Sequence, residues 1–100
     1  MHAHLIPQRL AQVVWTELDH EAVVLNLTTG AYYTLNEVGC AAWQLIDATR
    51  SIRAIADELT QTYDADGAQI EADLLTLMAE LHAEQLIRLH DTAPAAGIQE

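Results

Sequence analysis

The sequence predicts an α+β domain in which three antiparallel strands are followed by three helices. Apolar and polar residues alternate between Val13 and Leu35, in stretches separated by turn-forming residues. From Glu37 onward, apolar residues recur at spacings of three and four, which is typical of helices with one buried face. Strands gathered in one part of the chain and helices in another indicate an α+β arrangement and not an alternating α/β one.

The three predicted strands span Val13–Asp19, Glu21–Thr28 and Ala31–Leu35. Asp19 and His20 form a weak turn signal between the first two strands. Residues 28–30 (Thr-Thr-Gly) form a stronger one, because three-residue hairpin loops commonly end in a glycine with positive φ. The sequence therefore predicts a meander in which the second strand lies in the middle.

A three-residue loop fixes which residues of the second hairpin lie opposite each other. It pairs Leu27 with Ala31, Leu25 with Tyr33 and Val23 with Leu35. Because side chains two apart share one face of a strand, this register predicts a core face made of all six residues. The Tyr32 and Thr34 side chains then point to the other face.

Each predicted helix begins at a recognisable signal. Asn36 can cap a first helix from Glu37 to about Ala48, and Ser51 can cap a second helix that ends near Tyr63. After an Asp-Ala-Asp-Gly turn, a third helix spans about 68–84, and residues 86–89 suggest a short extended piece. We therefore expect one domain over 13–90, preceded by a flexible arm over 1–12 that contains Pro7, and followed by a disordered tail over 91–100.

Composition and charge exclude several classes of function. The 100 residues include four Arg, no Lys and fifteen acidic residues, and the formal net charge is -11. Nucleic-acid and anionic-membrane binding both require a basic surface, so we expect neither partner. A winged-helix DNA-binding regulator is the alternative interpretation of the helices, and this charge disfavours it. No apolar run approaches the roughly 20 residues of a membrane span.

The residues that carry chemistry are few and scattered. His2 and His4 form a pair near the start, but no metal-binding spacing, phosphate-binding loop or nucleophile motif is present. The single Cys40 lies in an apolar helical pattern, which indicates a buried thiol in the reducing cytoplasm. We expect no enzyme, metal or cofactor. An enzyme with Cys40 as nucleophile stays open as a further hypothesis.

The third predicted strand lies at an edge of the meander. An edge strand presents unpaired amides and carbonyls, to which another strand can add. Leu75 and Met78 widen the apolar stripe of the third helix, although completing the core is the simpler role for both. Periodicity alone therefore does not establish a binding groove.

The order of motifs resembles the PqqD family, whose name comes from a small accessory protein of pyrroloquinoline quinone biosynthesis. The similarity begins with the hairpin VVLNLTTGAYYTLN and continues through Gly39 to AAWQLID. It extends through SIRAIADEL and YDAD to the closing AELHAEQLIRL. The resemblance covers roughly residues 13–89.

The resemblance implies a winged-helix-like fold and a function as a recognition domain for ribosomally made peptides that are later modified. In this family, the leader segment of the precursor peptide adds as a strand to the third strand and packs against the third helix. The domain presents the leader to a modifying enzyme, such as a radical SAM protein or a leader peptidase. The implied function is thus that of a peptide chaperone in the biosynthesis of a peptide natural product or a quinone cofactor.

The resemblance also implies which residues form the peptide-binding site. Glu71 and Glu80 are candidates to meet Lys or Arg of a leader. The edge strand and the third helix would supply the following site residues: Ala31, Tyr32, Tyr33, Thr34, Leu35, Leu74, Leu75, Leu77, Met78, Leu81 and His82.

Overall fold

The computed structural model describes residues 2–91 and confirms the predicted α+β fold. Eight elements follow one another along the chain: β1 (Ile6–Arg9), β2 (Val13–Leu18), β3 (Glu21–Asn26), β4 (Tyr32–Leu35), α1 (Glu37–Gln44), α2 (Ile52–Tyr63), α3 (Gly67–Ala83) and β5 (Ile87–His90). Strands β2, β3 and β4 form a three-stranded antiparallel sheet with β3 in the middle, as predicted.

The two turns of this sheet differ in chemistry. Asp19 and His20 both have positive φ, at 55° and 68°, which suits a two-residue hairpin turn between β2 and β3. Gly30 has a φ of 80°, so the expected positive-φ glycine is present in the second turn. That loop contains four residues, 27–30, because the Asn26 amide donates to the Ala31 carbonyl (N to O 2.8 Å).

The predicted register of the second hairpin is wrong by one residue. Val24 lies opposite Tyr33, and Ala22 lies opposite Leu35. Of the predicted core face, Tyr33 and Leu35 do point inward. Val23, Leu25 and Leu27 do not: Val23 and Leu27 are exposed, and Leu25 is half-buried. A one-residue shift exchanges the two faces of a strand, so a single error in loop length reversed the assignment for β3.

The hydrogen bonds of Asn26 explain this register. Its Oδ1 accepts from the amides of Thr28 (2.8 Å) and Thr29 (3.1 Å), and its Nδ2 donates to the Gln85 carbonyl (2.6 Å). The Asn26 side chain is completely buried. A buried amide is tolerated when it is hydrogen-bonded, and this one closes the loop while connecting it to the end of α3.

The sheet consequently has two unlike faces. We call the side toward the helices the inner face, and it presents Ala22, Val24, Asn26, Tyr33 and Leu35. The opposite side is the outer face. Its members follow from the register of the three strands: Val14, Thr16, Leu18, Glu21, Val23, Leu25, Tyr32 and Thr34.

Each helix begins where the sequence predicts. The side chain of Asn36 accepts from the Gly39 amide at 2.8 Å, and that of Ser51 accepts from the Ala54 amide at 3.0 Å. Helix α1 ends at Gln44 instead of near Ala48, whose φ of 66° is incompatible with a continuing helix. The inner face of the sheet and the three helices enclose one apolar core around Trp43, which is 1% exposed.

Residues 1–12, which we expect to form a flexible arm, contain a paired strand. Strand β1 pairs with β5, and Pro7 lies opposite Leu89 in a two-stranded sheet, where a missing amide is tolerated at an edge. The amide of Ile52, at the start of α2, donates to the Leu5 carbonyl (2.9 Å), so the N-terminal segment also caps a helix. The predicted tail over 91–100 lies, except for Asp91, outside the described residues.

The Arg9 side chain connects β1 to the core. Its guanidinium donates to the Trp43 carbonyl (Nη2 to O 2.7 Å) and lies over the rings of Trp15 and Trp43, with Cζ 5.6 and 5.1 Å from their centroids. Burial lowers the pKa of Arg9 from its usual value. The guanidinium stays cationic in spite of this, since an arginine pKa lies far above neutrality. Its cation–π contacts with the two rings therefore stabilise the packing of β1 against the core.

Candidate functional site

The free edge of β4 is the first component of the candidate site. In an antiparallel pair, hydrogen-bonded and non-hydrogen-bonded residues alternate. Because Asn26 bonds to Ala31, the residues of β4 that bond to β3 are Tyr33 and Leu35. The backbone amides and carbonyls of Tyr32 and Thr34 therefore point away from β3, toward the open edge.

A groove of about 480 Å³ runs beside this edge and is the second component. One wall is β4 with the start of α1, and the other is the first half of α3, with the end of α2 between them. Its lining comprises Tyr33, Thr34, Leu35, Asn36, Val38, Gly39, Leu59, Tyr63, Ala65, Asp66, Gln69, Ile70, Asp73, Leu74 and Leu77. A strand added to β4 would thus find apolar surface on the side that faces α3.

The floor of the groove is apolar and fixed in the core. Leu35, Leu59 and Leu74 are at most 3% exposed, and Ile70 is 9% exposed. Rotamers of buried side chains are held by close packing, so this floor is formed before a ligand arrives. Leu77 is half-buried, and it is the apolar residue of α3 that presents surface to the groove.

The rim of the groove is acidic. Asp66 and Asp73 are exposed carboxylates, and no Arg, Lys or His belongs to the lining. Asp66 caps α3 by accepting from the Ala68 amide (2.9 Å), and Asp73 accepts from the amide side chain of Gln69 (2.9 Å). Both carboxylates keep lone pairs for another donor, so the groove favours a cationic ligand over an anionic one.

A side-chain hydrogen bond connects the two walls. The Tyr33 hydroxyl donates to a carboxylate oxygen of Glu80, and this bond joins β4 to the last turn of α3. The hydrogen bond to Glu80, followed by burial and the charge of the same carboxylate, raises the pKa of Tyr33. Burial likewise raises the pKa of Tyr63, with a further contribution from the charge of Glu37. Both phenols are therefore neutral donors at physiological pH.

The structure brings five of the eleven predicted site residues together. Tyr33, Thr34, Leu35, Leu74 and Leu77 line the groove. Ala31 and Tyr32 lie at the β4 end of the hairpin but outside the lining.

The other four predicted residues lie elsewhere. Met78 and Leu81 are completely buried, so their side chains belong to the core and not to the groove surface. Leu75 lies on the far surface of α2 and α3, and His82 is exposed outside the lining. The α3 surface that lines the groove is therefore shorter than predicted and ends at Leu77.

Neither of the two carboxylates predicted to bind a basic ligand lines the groove. Glu71 pairs with Arg53 (Oε1 to Nε 3.3 Å) on the far surface of α2 and α3, and Glu80 is engaged by Tyr33. Asp66 and Asp73, which sequence reasoning missed, occupy the groove instead. Helical spacing gave no signal for them, because it identifies a polar face without showing which neighbouring element that face meets.

Metal-binding clusters and membrane-spanning helices are both absent from residues 2–91. Within that range, no three His, Cys, Asp or Glu side chains converge as a metal site would require. None of the helices described there has both the length and the apolar content needed to cross a membrane. Cys40 is buried, 2% exposed, on the inner side of α1.

Comparisons with known proteins agree with this architecture. The family model of coenzyme PQQ synthesis protein D (PqqD) matches residues 21–87. A PqqA binding protein of Xanthomonas axonopodis pv. citri is 38% identical over 84 residues, which are 84% of this chain and 82% of that protein. A PqqA binding protein of Xanthomonas euvesicatoria pv. vesicatoria is 46% identical over 55 residues, which are 55% of this chain and 60% of that protein.

A solved structure has a similar fold. It is TbiB1 in complex with the TbiA(beta) leader peptide, and it superposes with a TM-score of 0.72 at 27% identity. The superposition covers 93% of this chain and 99% of that one.

Proposed function

Because this chain belongs to the PqqD family, we propose that it binds the leader segment of a ribosomally made precursor peptide and presents it to a modifying enzyme. The observation that carries the proposal is the open edge of β4 beside an apolar groove that is already formed. Support comes from relatives named PqqA binding protein, and from a structural neighbour that was solved with a leader peptide bound.

Strand addition to β4 supplies the affinity. The outward amides and carbonyls of Tyr32 and Thr34 can form backbone hydrogen bonds with any extended peptide. The opposite edge of the sheet, at β2, does not adjoin the groove. The leader therefore binds at β4, where alternate side chains also reach apolar surface.

The groove supplies selectivity. Side chains of the leader that point toward α3 meet Leu77 and the floor formed by Leu35 and Leu74, which favours an aliphatic or aromatic residue. Asp66 and Asp73 favour Lys or Arg near that residue, mainly by accelerating encounter. Of the eleven residues named from the sequence, Tyr32, Tyr33, Thr34, Leu35, Leu74 and Leu77 are retained in this proposed site, with Asp66, Asp73 and Tyr63 added.

The chain acts by binding, without chemistry of its own. The enzyme that receives the leader is a radical SAM protein or a leader peptidase in this proposal, and the site of action is the cytoplasm. Cys40 is buried and does not line the groove, so the proposal assigns its thiol to packing.

The PqqA peptide of Xanthomonas axonopodis pv. citri is a suitable probe, since a relative from that organism is named for binding it. On titration of isotope-labelled protein, we expect amide shifts concentrated in β4 and in the first half of α3. Saturable binding with shifts confined to other surfaces would contradict the proposed site. Absence of binding to this probe and to the peptide encoded beside the chain's own gene would overturn the function.

Thr34→Pro tests the role of the β4 edge. Proline removes an outward amide without breaking the ladder to β3, so we expect peptide affinity to fall about tenfold, the equivalent of one lost backbone hydrogen bond at about 1.4 kcal/mol. The matched control is Glu17→Pro, which removes an outward amide from β2 at the opposite edge. Equal affinity losses for the two variants would contradict strand addition at β4, and circular dichroism checks that both remain folded.

A further inference from the structure

The outer face of the sheet is an apolar surface turned toward solvent. Leu18 is 74% exposed, Tyr32 69%, Val14 46% and Val23 41%, and Leu27 in the adjoining loop is 63% exposed. The register places Leu25 between Val14 and Tyr32 in one cross-strand row. Val23 lies beside Leu25 on the same face of β3, between Thr16 and Thr34, and Leu18 lies diagonally across from Val23. The apolar side chains are therefore neighbours, and they form one continuous patch.

This patch is almost free of charge in a strongly acidic chain. Fifteen residues of the chain are Asp or Glu. On the outer face, Glu21 is the single charged residue, and it lies at one corner opposite Leu18, while Thr16 and Thr34 supply the polar groups. A protein that covers this face buries apolar surface at the expense of desolvating only one carboxylate.

The arrangement of β3 is unfavourable for an isolated domain. Val23, Leu25 and Leu27 face outward while the polar Asn26 is buried. Single exposed apolar residues are normal on protein surfaces, but a contiguous group marks an interaction site. Apolar side chains on the outward face of a strand are expected when a partner protein covers that face.

The patch is continuous with the proposed peptide site. Tyr32 and Thr34 direct their backbone groups to the free edge and their side chains to the outer face. A peptide strand added to β4 therefore extends the outer face by one strand and contributes every second side chain to it. A protein seated on this face contacts the bound peptide at the rim.

We propose that the outer face is the docking surface for the modifying enzyme, which binds through an apolar, uncharged patch of its own and thereby reaches the peptide held on β4. The proposal rests on the proposed peptide-binding function and adds a second, separate surface to it. The inner groove holds the leader, and the outer face recruits the enzyme.

The test separates the two surfaces. The double variant Leu18→Gln, Val23→Thr makes the face polar at exposed positions, and Ala72→Gln adds the same amide group to the distant surface of α2 and α3 as a control. The probes are the precursor peptide and the modifying enzyme encoded in the same gene cluster. We expect peptide affinity to stay within twofold for both variants, and enzyme affinity and peptide turnover to fall about tenfold or more in the double variant alone.

Each alternative result has a distinct meaning. Unchanged enzyme affinity in the double variant overturns the docking surface even if peptide binding holds. If the wild-type chain binds no peptide, the proposed function fails, while direct titration with the enzyme still decides whether the face docks it. A wild-type molecular mass that doubles with concentration, and reverts in the double variant, would assign the face to a second copy of this chain and overturn the enzyme as occupant.

Discussion

The two sides of the middle strand β3 are unlike: Ala22, Val24 and Asn26 lie on the inner face of the sheet, whereas Val23 and Leu25 lie on its outer face. The first three are buried under the helices, while Val23 and, in the adjoining loop, Leu27 face solvent. Hydrophobicity alone therefore does not determine which face of β3 is buried. Packing space under α1 and the hydrogen bonds of Asn26 decided it.

The largest expected difference between the two faces is in stability. Leu35 is 1% exposed on the inner face, so Leu35→Ala should lower the free energy of unfolding by about 2–5 kcal/mol through lost burial and a residual cavity. The paired substitution Leu27→Ala, at a side chain 63% exposed, should change it by less than about 0.5 kcal/mol. Urea unfolding of both variants measures the contrast, and similar losses would refute the assignment of faces.

An intermediate effect is expected at Asn26. Asn26→Ala removes three hydrogen bonds and leaves the Gln85 carbonyl without its donor, so we expect a loss of about 2–3 kcal/mol. Asn36→Ala is the matched control, because that side chain caps α1 through one amide and its loss should cost about 1 kcal/mol. A loss at Asn26 no larger than the loss at Asn36 would show that the buried amide does not set the register.

The smallest expected change in stability is at Tyr33, at the edge of the inner face, and it depends on pH. The pKa of Tyr33 is raised in the folded state by its bond to Glu80, so the stabilisation is complete below about pH 10 and is lost as pH rises through the folded pKa. Tyr33→Phe should cost about 0.5 kcal/mol at neutral pH, since the bond is solvent-exposed.

Thermal unfolding between pH 7 and 11 checks this prediction. The difference in stability between wild type and Tyr33→Phe should narrow above pH 10, and Tyr32→Phe on the outer face serves as the control. A difference independent of pH would show that the hydroxyl does not act through the Glu80 carboxylate.

Local signals in the sequence located most elements. The caps at Asn36 and Ser51 and the turn at Asp19 are contained within a few residues, and each predicted boundary depended on chemistry at that point. The edge position of β4 followed from the order of three strands joined by short turns. These features are local, so no knowledge of the tertiary contacts was needed to predict them.

Features that depend on distant partners were not predictable in this way. Residues 6–9 form a strand because β5, some eighty residues later in the chain, provides the partner. Asn26 turns inward because the Gln85 carbonyl is there to receive its amide. Asp66 and Asp73 belong to the groove because the fold places the N-terminal part of α3 across from β4.

The sequence by itself determined the order of the meander and the three helices, the acidic charge that disfavours nucleic acid, and the presence of an edge strand, because each follows from neighbouring residues or from composition. Only the tertiary structure decided which face of the sheet is buried, since strand side chains alternate and a single added loop residue reverses them. The outer face proposed to recruit an enzyme therefore includes Val23 and Leu25, two aliphatic residues that the hydrophobic pattern predicts for the core.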